Sequence, residues 1–553
     1  MLAKWFNTYS VNLNDDLISD PEQSKNYPNQ MTREVKSGHY VKVAPTPLSN
    51  PVLINYSNDL ASKMNISHKL ITSSDMIKYL SGDIKNITTE SWATPYALSI
   101  YGREMISNCP FGTGNGYGDG RAIAIGNVNV DNHNYELQLK GAGKTPFARS
   151  GDGRAVLRSS IREYLTSEAM HFLGVPTTRA LSLIVSKTEK VLRSSYKKRD
   201  GSADENIAAI TCRISDSFYR VGHLELFSRR TRKKNNQYEL KELRLLLIHI
   251  IKREYPYLLN DSDYALDILV INFLRESGSN FSNLVSRWMS VGYVQSNMNS
   301  DNCSIGGRTI DYGPFGFMGI YDRNKNFWVD SGDHFSYMNQ PNATVKNYET
   351  MCNAVKPLVS DTYKKKIDVM INEFSCLCSS DLKKTWVKKL GFKLLGWKDG
   401  VKDIYCRLER LLQESVVDWT IFWRELSWYP IKKSDKYESD IHSVMFAFHD
   451  TGKFDDRWSK WINDWLDLLK LEQRDAKEIT NVMLQQSPKY IPREYMLAEA
   501  YEQAKIGNYN MINELSILFS SPYEEQTVFE KWYRLPDKND TNKAGIASMT
   551  CSS

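Results

Sequence analysis

Between Tyr135 and Lys140 the chain alternates polar and apolar side chains, Tyr-Glu-Leu-Gln-Leu-Lys, the period-two pattern of a half-buried strand that ends on a lysine. The apolar run Ala122-Ile-Ala-Ile125 lies just upstream. Beyond it the period changes: Leu157, Ile161, Tyr164, Leu165 and Phe172 recur at helical spacing, with Glu163 beside the apolar stripe. The same spacing returns in 265–274 and 404–412, and the tryptophan-rich stretches 418–428 and 458–465 read as packing between helices. These patterns predict an α+β chain. A polar N-terminal extension, 1–92, packs on the body of the chain; a strand-rich small lobe with one long helix spans 93–230; a mostly helical large lobe spans 231–480; a C-terminal helical region with a Cys-Ser-Ser tail spans 481–553. No internal repeat or long low-complexity segment interrupts them.

Between these elements lie residues with chemistry. The loop 111–121, FGTGNGYGDGR, alternates glycine with small or polar residues, so its backbone N–H groups can approach phosphates and Arg121 can add a bidentate charge contact. Lys140, at a strand end, could clamp phosphate oxygens. Gly151-Asp-Gly-Arg154 reads as the opening of the helix that carries Glu163, where N-terminal amides and Arg154 offer a second place for negative charge. Asp301, Asn302 and Asp311 supply hard oxygen ligands for Mg²⁺ and a carboxylate able to accept a hydroxyl proton. Each feature alone has an ordinary explanation: a glycine hairpin, a solvated lysine, a helix cap, a polar surface turn. Their order is the informative part, since glycine loop, lysine strand, acidic helix and metal residues follow one another as in a bilobal kinase, where a strand lysine pairs with a helix glutamate.

The longer motifs carry a family resemblance. Residues 139–170 (LKGAGKTPFARSGDGRAVLRSSIREYLTSEAM), 174–181 (GVPTTRAL), 213–225 (RISDSFYRVGHLE), 298–305 (MNSDNCSI) and 309–317 (TIDYGPFGF) resemble the signature of the selenoprotein O (SelO) family. So do 490–497, 522–526 and the tail 550–553, and the likeness runs from about residue 43 to the end. The resemblance implies a protein-kinase-like fold that binds ATP in inverted orientation and transfers AMP to protein hydroxyls, releasing pyrophosphate. It implies nucleotide contacts from Gly118, Gly120, Arg121, Asp152 and Gly153. Lys140 would contact phosphates with Glu163 holding it, Arg213 and Arg220 would hold the triphosphate, Asn302 and Asp311 would ligate Mg²⁺ or Mn²⁺, and Asp301 would accept the proton. Two places depart from the family pattern. Gln295 and Ser296 stand where the family has His-Gly, and 101–112 replaces its usual element before the glycine loop.

Composition narrows the alternatives. With 41% hydrophobic residues, the 553-residue chain can bury a large core. A net charge of +6 is too mild to indicate nucleic acid; the basic runs at 193–199 and 229–234 read as solvated loops. No apolar run is long enough to span a bilayer. Eight cysteines without paired spacing suggest reduced thiols in a soluble intracellular protein, cytoplasmic or mitochondrial. Cys376 and Cys378 read as packing residues at a helix end. Cys551 occupies the family's redox position, but 326–335 offers no cysteine for the bridge that the resemblance implies. The expected protein is a monomer acting on ATP and on protein substrates. A conventional protein kinase and a non-catalytic nucleotide-binding scaffold are the alternatives; the adjacency of Asp301 and Asn302 speaks against a kinase catalytic loop.

Overall fold

The computed structural model describes residues 1–87, 90–95, 120–148, 151–194, 203–232, 236–260, 265–328, 332–434, 441–537 and 540. Gly118, with most of the glycine loop, and Cys551 lie outside the described residues.

The alternating segment at Tyr135 belongs to a hairpin. Strands β5 (Ala122–Val130) and β6 (His133–Lys140) are joined by Asp131 and Asn132, both at positive φ (51° and 62°), as a two-residue turn matched to strand twist requires. The hairpin sits inside an antiparallel sheet that takes in β2 (Val41–Lys42), β3 (Pro51–Tyr56), β4 (Trp92–Ala93), β8 (Arg179–Ser194) and β9 (Ala203–Ser215), in the order β2-β4-β5-β6-β9-β8-β3. The short strands β1 (Ser10–Val11) and β7 (Ala155–Val156) pair with β5 and β9. Four of these nine strands come from the first 93 residues, so the N-terminal segment is woven into the sheet rather than only laid against it.

Alternate residues of the strands feed different cores. Leu137, Leu139, Ile184, Ile210 and Cys212 pack with Trp5, Phe6 and Tyr79 of N-terminal helices, whereas Leu183, Val185 and Ala209 pack with Leu157, Ile161 and Leu165. The latter residues belong to the helix Leu157–Phe172, whose outer side is closed by helices Glu494–Lys505 and Asn510–Phe519.

Among the described residues after Ser215, the regular elements are helices apart from one two-stranded hairpin. The 26-residue helix Leu266–Val291 ends at Gly292, whose φ of 72° is the left-handed cap a glycine supplies, and a Cβ there would lie 2.5 Å from the Trp419 ring. Next comes β10 (Tyr293–Gln295), antiparallel to β11 (Phe315–Phe317), with Gln295 opposite Phe315. The tryptophan-rich stretches form helices Trp419–Ser434 and Asp456–Lys470, and Trp386, Trp423, Trp458, Trp461 and Trp465 fill one core. The architecture is thus α+β, an antiparallel sheet followed by many helices.

Two local expectations need correction. Cys376 and Cys378 lie in the interior of the helix Asp361–Lys389, not at its end, and only Cys378 is buried. Arg229 and Arg230 are not in a solvated loop: they close the helix Val221–Arg230, Arg229 pairs with Glu225, and the buried Arg230 donates to the carbonyls of Val35 (2.7 Å) and Gly38. Among the described residues, no helix is long and apolar enough to cross a membrane.

Candidate active site

Lys140 is the last residue of β6, and the strand's period places Glu136, Gln138 and Lys140 on one side. A half-buried strand would leave these polar groups in solvent. Here Tyr135 through Lys140 are all buried, because the polar side is roofed by charged partners. Lys140 Nζ lies 2.7 Å from Glu163 Oε2 and 2.6 Å from Asp311 Oδ1. The other oxygen of Glu163 faces Arg213 at 3.3 Å. Arg213 stands opposite Gln138 on β9, donates to the Gln138 side chain, and reaches the Ile310 carbonyl at 3.1 Å. One buried glutamate therefore fixes both a lysine and an arginine, and both cations touch the segment that carries Asp311.

Glu136 shares the strand face of Lys140, and sequence reasoning did not single it out. Burial pushes its carboxyl above the ordinary range, and the charges of Arg253, Arg213 and Arg220 oppose that shift. Arg253 stands 3.8 Å away. The period-two relation to Lys140 was the available signal; a strand face with three polar residues in register is a candidate once its end residue is.

Arg220 sits at the N-terminus of the helix Val221–Arg230, with its backbone N–H donating to His223 Nδ1 at 3.0 Å. Burial, and next the Arg220 charge, hold the His223 imidazole well below its ordinary value, which suits an acceptor nitrogen; the far nitrogen meets Thr94 Oγ1 at 3.0 Å. The same helix secures the acidic turn: Ser300 Oγ donates to Glu225 at 2.6 Å. In that turn, Ser300–Asn302, the Asn302 N–H returns to the Asn299 carbonyl, and Asp301 is buried. Asp301 and Asn302 follow β10 and Asp311 precedes β11, so the antiparallel register brings both segments to the same end of the hairpin.

The glycine turns pack on one another. Gly120 (φ 61°) approaches so closely that a Cβ would lie 2.0 Å from the Phe147 carbonyl, and a Cβ on Gly153 (φ 71°) would lie 2.0 Å from that of Gly143. Arg121 Nη1 reaches the Arg154 carbonyl at 3.3 Å. Asp152 accepts two bonds from Arg193, at 2.7 and 2.8 Å; burial raises its carboxyl, but Arg193 and the Arg154 N–H outweigh that and hold it below the usual value. The turn does not open the following helix. β7 intervenes, its residues Ala155 and Val156 being paired with β9, and the helix starts at Leu157. Arg154 is likewise engaged: it pairs with Glu189 at 2.6 Å and donates to the carbonyls of Thr46 and Pro47, fastening the turn in place.

Asn302 and Asp311 suit a divalent cation by donor chemistry, an amide oxygen and a carboxylate, both hard ligands, with the Asp301 carboxylate next to Asn302 in the chain. So small a set differs from a protein-only cage: among the described residues no group of three or more His, Cys, Asp or Glu side chains could hold a metal. Such a set fits Mg²⁺, which keeps waters and substrate phosphates in its shell.

The chain aligns over nearly its full length with proteins named Protein nucleotidyltransferase YdiU. That of Flavobacterium johnsoniae is 36% identical over 546 residues, covering 97% of this chain and 98% of its own. Those of Rhodopirellula baltica and Methylobacillus flagellatus are 31% and 33% identical, covering 99% and 97% of this chain and 99% and 98% of theirs. These relatives and the family model define the class: the protein is a nucleotidyltransferase. More narrowly, the family model described as Protein adenylyltransferase SelO matches residues 21–519, and the chain belongs to that family.

Proposed function

We propose that this adenylyltransferase moves AMP from ATP to serine, threonine or tyrosine hydroxyls of proteins within a bilobal, protein-kinase-like body, with 93–230 as small lobe and 231–480 as large lobe. The observation that carries the reading is Lys140, held at 2.7 Å by Glu163 and at 2.6 Å by Asp311, with Arg213 on the other oxygen of Glu163. In the reaction the hydroxyl oxygen bonds to the α-phosphorus, the bond from that phosphorus to the bridging oxygen breaks, and pyrophosphate leaves with the electron pair. Negative charge then grows on the leaving group, where Lys140, Arg213 and Arg220 stabilise it electrostatically. Asp301 orients the incoming hydroxyl and takes its proton. Gly118, Gly120, Arg121, Asp152 and Gly153 line the nucleotide. Asn302 and Asp311 would hold Mg²⁺ or Mn²⁺, which supplies positive charge to the phosphates when bound.

The test is intact-mass analysis of the protein and of a hydroxyl-bearing protein acceptor after incubation with ATP and magnesium, with pyrophosphate assayed in parallel. The expected product gains an adenylyl group and releases pyrophosphate, and Asp301→Ala gains none. A phosphoryl gain with ADP release would overturn the reading.

A further inference from the structure

Gln295 is the last residue of β10 and is almost fully buried, 2% exposed. Its side-chain nitrogen donates to the Asn297 carbonyl and to the Asp311 carbonyl, both at 3.2 Å. One amide thus spans the gap between the strand that leads into Asp301 and Asn302 and the backbone of Asp311 itself. Both N–H bonds are used, as a primary amide permits, and the side-chain oxygen accepts from the Tyr293 hydroxyl at 2.5 Å. The backbone is held from a different element: Gln340 accepts the Gln295 N–H at 2.8 Å and donates to the Tyr293 carbonyl at 3.0 Å. Next in the chain, the fully buried Ser296 accepts the Phe327 N–H at 2.8 Å. Gln295 is therefore fixed at both its backbone and its side-chain oxygen, while its two donors point to the two carbonyls.

We infer that Gln295 is a positioning residue for the metal-binding end of the β10–β11 hairpin, tying the Asp311 backbone to the Asn297 backbone, where the chain leaves β10 on its way to Asp301 and Asn302, by donating to both carbonyls. Without the amide, the Asn297 and Asp311 carbonyls lose the donor they share. Ligands held by such outer contacts typically lose about 10- to 100-fold in metal affinity when the contact is removed. Arginine or lysine could not replace the amide here, since neither has an oxygen to accept from Tyr293. The inference rests on the proposed role of Asn302 and Asp311 as metal ligands, and its test is built to separate the two.

The experiment is a titration of the purified protein, with and without ATP, with Mn²⁺, following the free Mn²⁺ signal by electron paramagnetic resonance, together with thermal unfolding of each protein. Gln295→Met keeps the length and volume but has no N–H, and Gln295→His keeps a ring N–H. The expected result is at least about tenfold weaker Mn²⁺ binding for Gln295→Met, a smaller loss for Gln295→His, and cooperative unfolding in both. Wild-type affinity in Gln295→Met, alongside its loss in Asp311→Ala, would overturn the inference alone. Equal weakening of the Met and His variants would also overturn it, since volume and not donation would then be at issue. Mn²⁺ binding that survives Asp311→Ala would overturn the metal reading and the inference with it. Should Gln295→Met fail to fold, the comparison of wild type with Gln295→His decides: equal affinity and loss of unfolding cooperativity would assign Gln295 to the core only.

Discussion

Glu163 divides one buried carboxylate between Lys140 and Arg213, and its two oxygens lie 2.7 and 3.3 Å from them. Replacing it with glutamine preserves the shape and removes the charge. A hydrogen bond to a charged group contributes about 1.5 to 3 kcal/mol, so Glu163→Gln should slow AMP transfer roughly 10- to 100-fold in initial-rate assays. Unchanged rates would mean that Lys140 is placed by other contacts. His223 makes a different prediction. Its pKa in the fold lies well below the ordinary 6.5, chiefly through burial, and burial also lowers His249. The unfolded chain therefore takes up these protons first, so stability is intact above 6.5 and is lost as pH falls from there towards the folded values. Thermal unfolding should show that decline, with a shallower slope in His223→Gln; equal slopes would contradict it. At this scale the pairing of Lys140 with Glu163 was legible, because a lysine at a strand end and a glutamate on the next helix each carry a charge tied to an element. Glu136 and Arg253 were not, because their meeting depends on which helix covers the strand.

Among the elements, the helix Leu157–Phe172 has more duties than its sequence announces. Glu163 points its charge to the sheet, while its neighbour Arg162 pairs with Glu494 at 2.6 Å, donates to the Phe315 carbonyl, and stacks over the Phe315 ring at 4.0 Å. A single residue thus joins the Glu163 helix to the strand after Asp311 and to the C-terminal helix Glu494–Lys505. Burial raises the Glu494 carboxyl, and Arg162 opposes the shift. Removing the arginine would strand that carboxylate, a change that typically costs about 3 to 5 kcal/mol. Arg162→Ala should show a loss of that order in denaturant unfolding; a change below about 1 kcal/mol would mean the pair is relaxed in solution. Periodicity gave the helix and its apolar stripe, but not the start. Gly151-Asp-Gly-Arg154 looks like a helix opening, and only the pairing of Ala155 and Val156 with β9 shows that the turn ends in a strand.

In the whole molecule segments distant in sequence meet around the sheet and the helix packed on it. Strands from the first 93 residues extend it, and residues from 490 onward, including Tyr495, Leu497, Ala500, Ile512 and Leu515, cover the Leu157–Phe172 helix. Truncation before Tyr490 would uncover Leu157, Ile161 and Leu165, and each such buried side chain is worth about 1.5 to 3 kcal/mol. The shortened chain should fail to unfold cooperatively; a stable, cooperative product would contradict that packing. The division into a strand-rich part followed by helices was legible from the change of period. The weaving of the termini was not, since strands of two residues such as β1 and β2 carry no periodic signal. Adenylyl transfer requires that the α-phosphorus, not the γ, be the reacting atom. Its direct test is autolabelling of the purified protein with magnesium and ATP carrying label on either phosphate, with Asp311→Ala as control. Label from α alone, abolished in the variant, is the predicted result, and label from γ alone would contradict it.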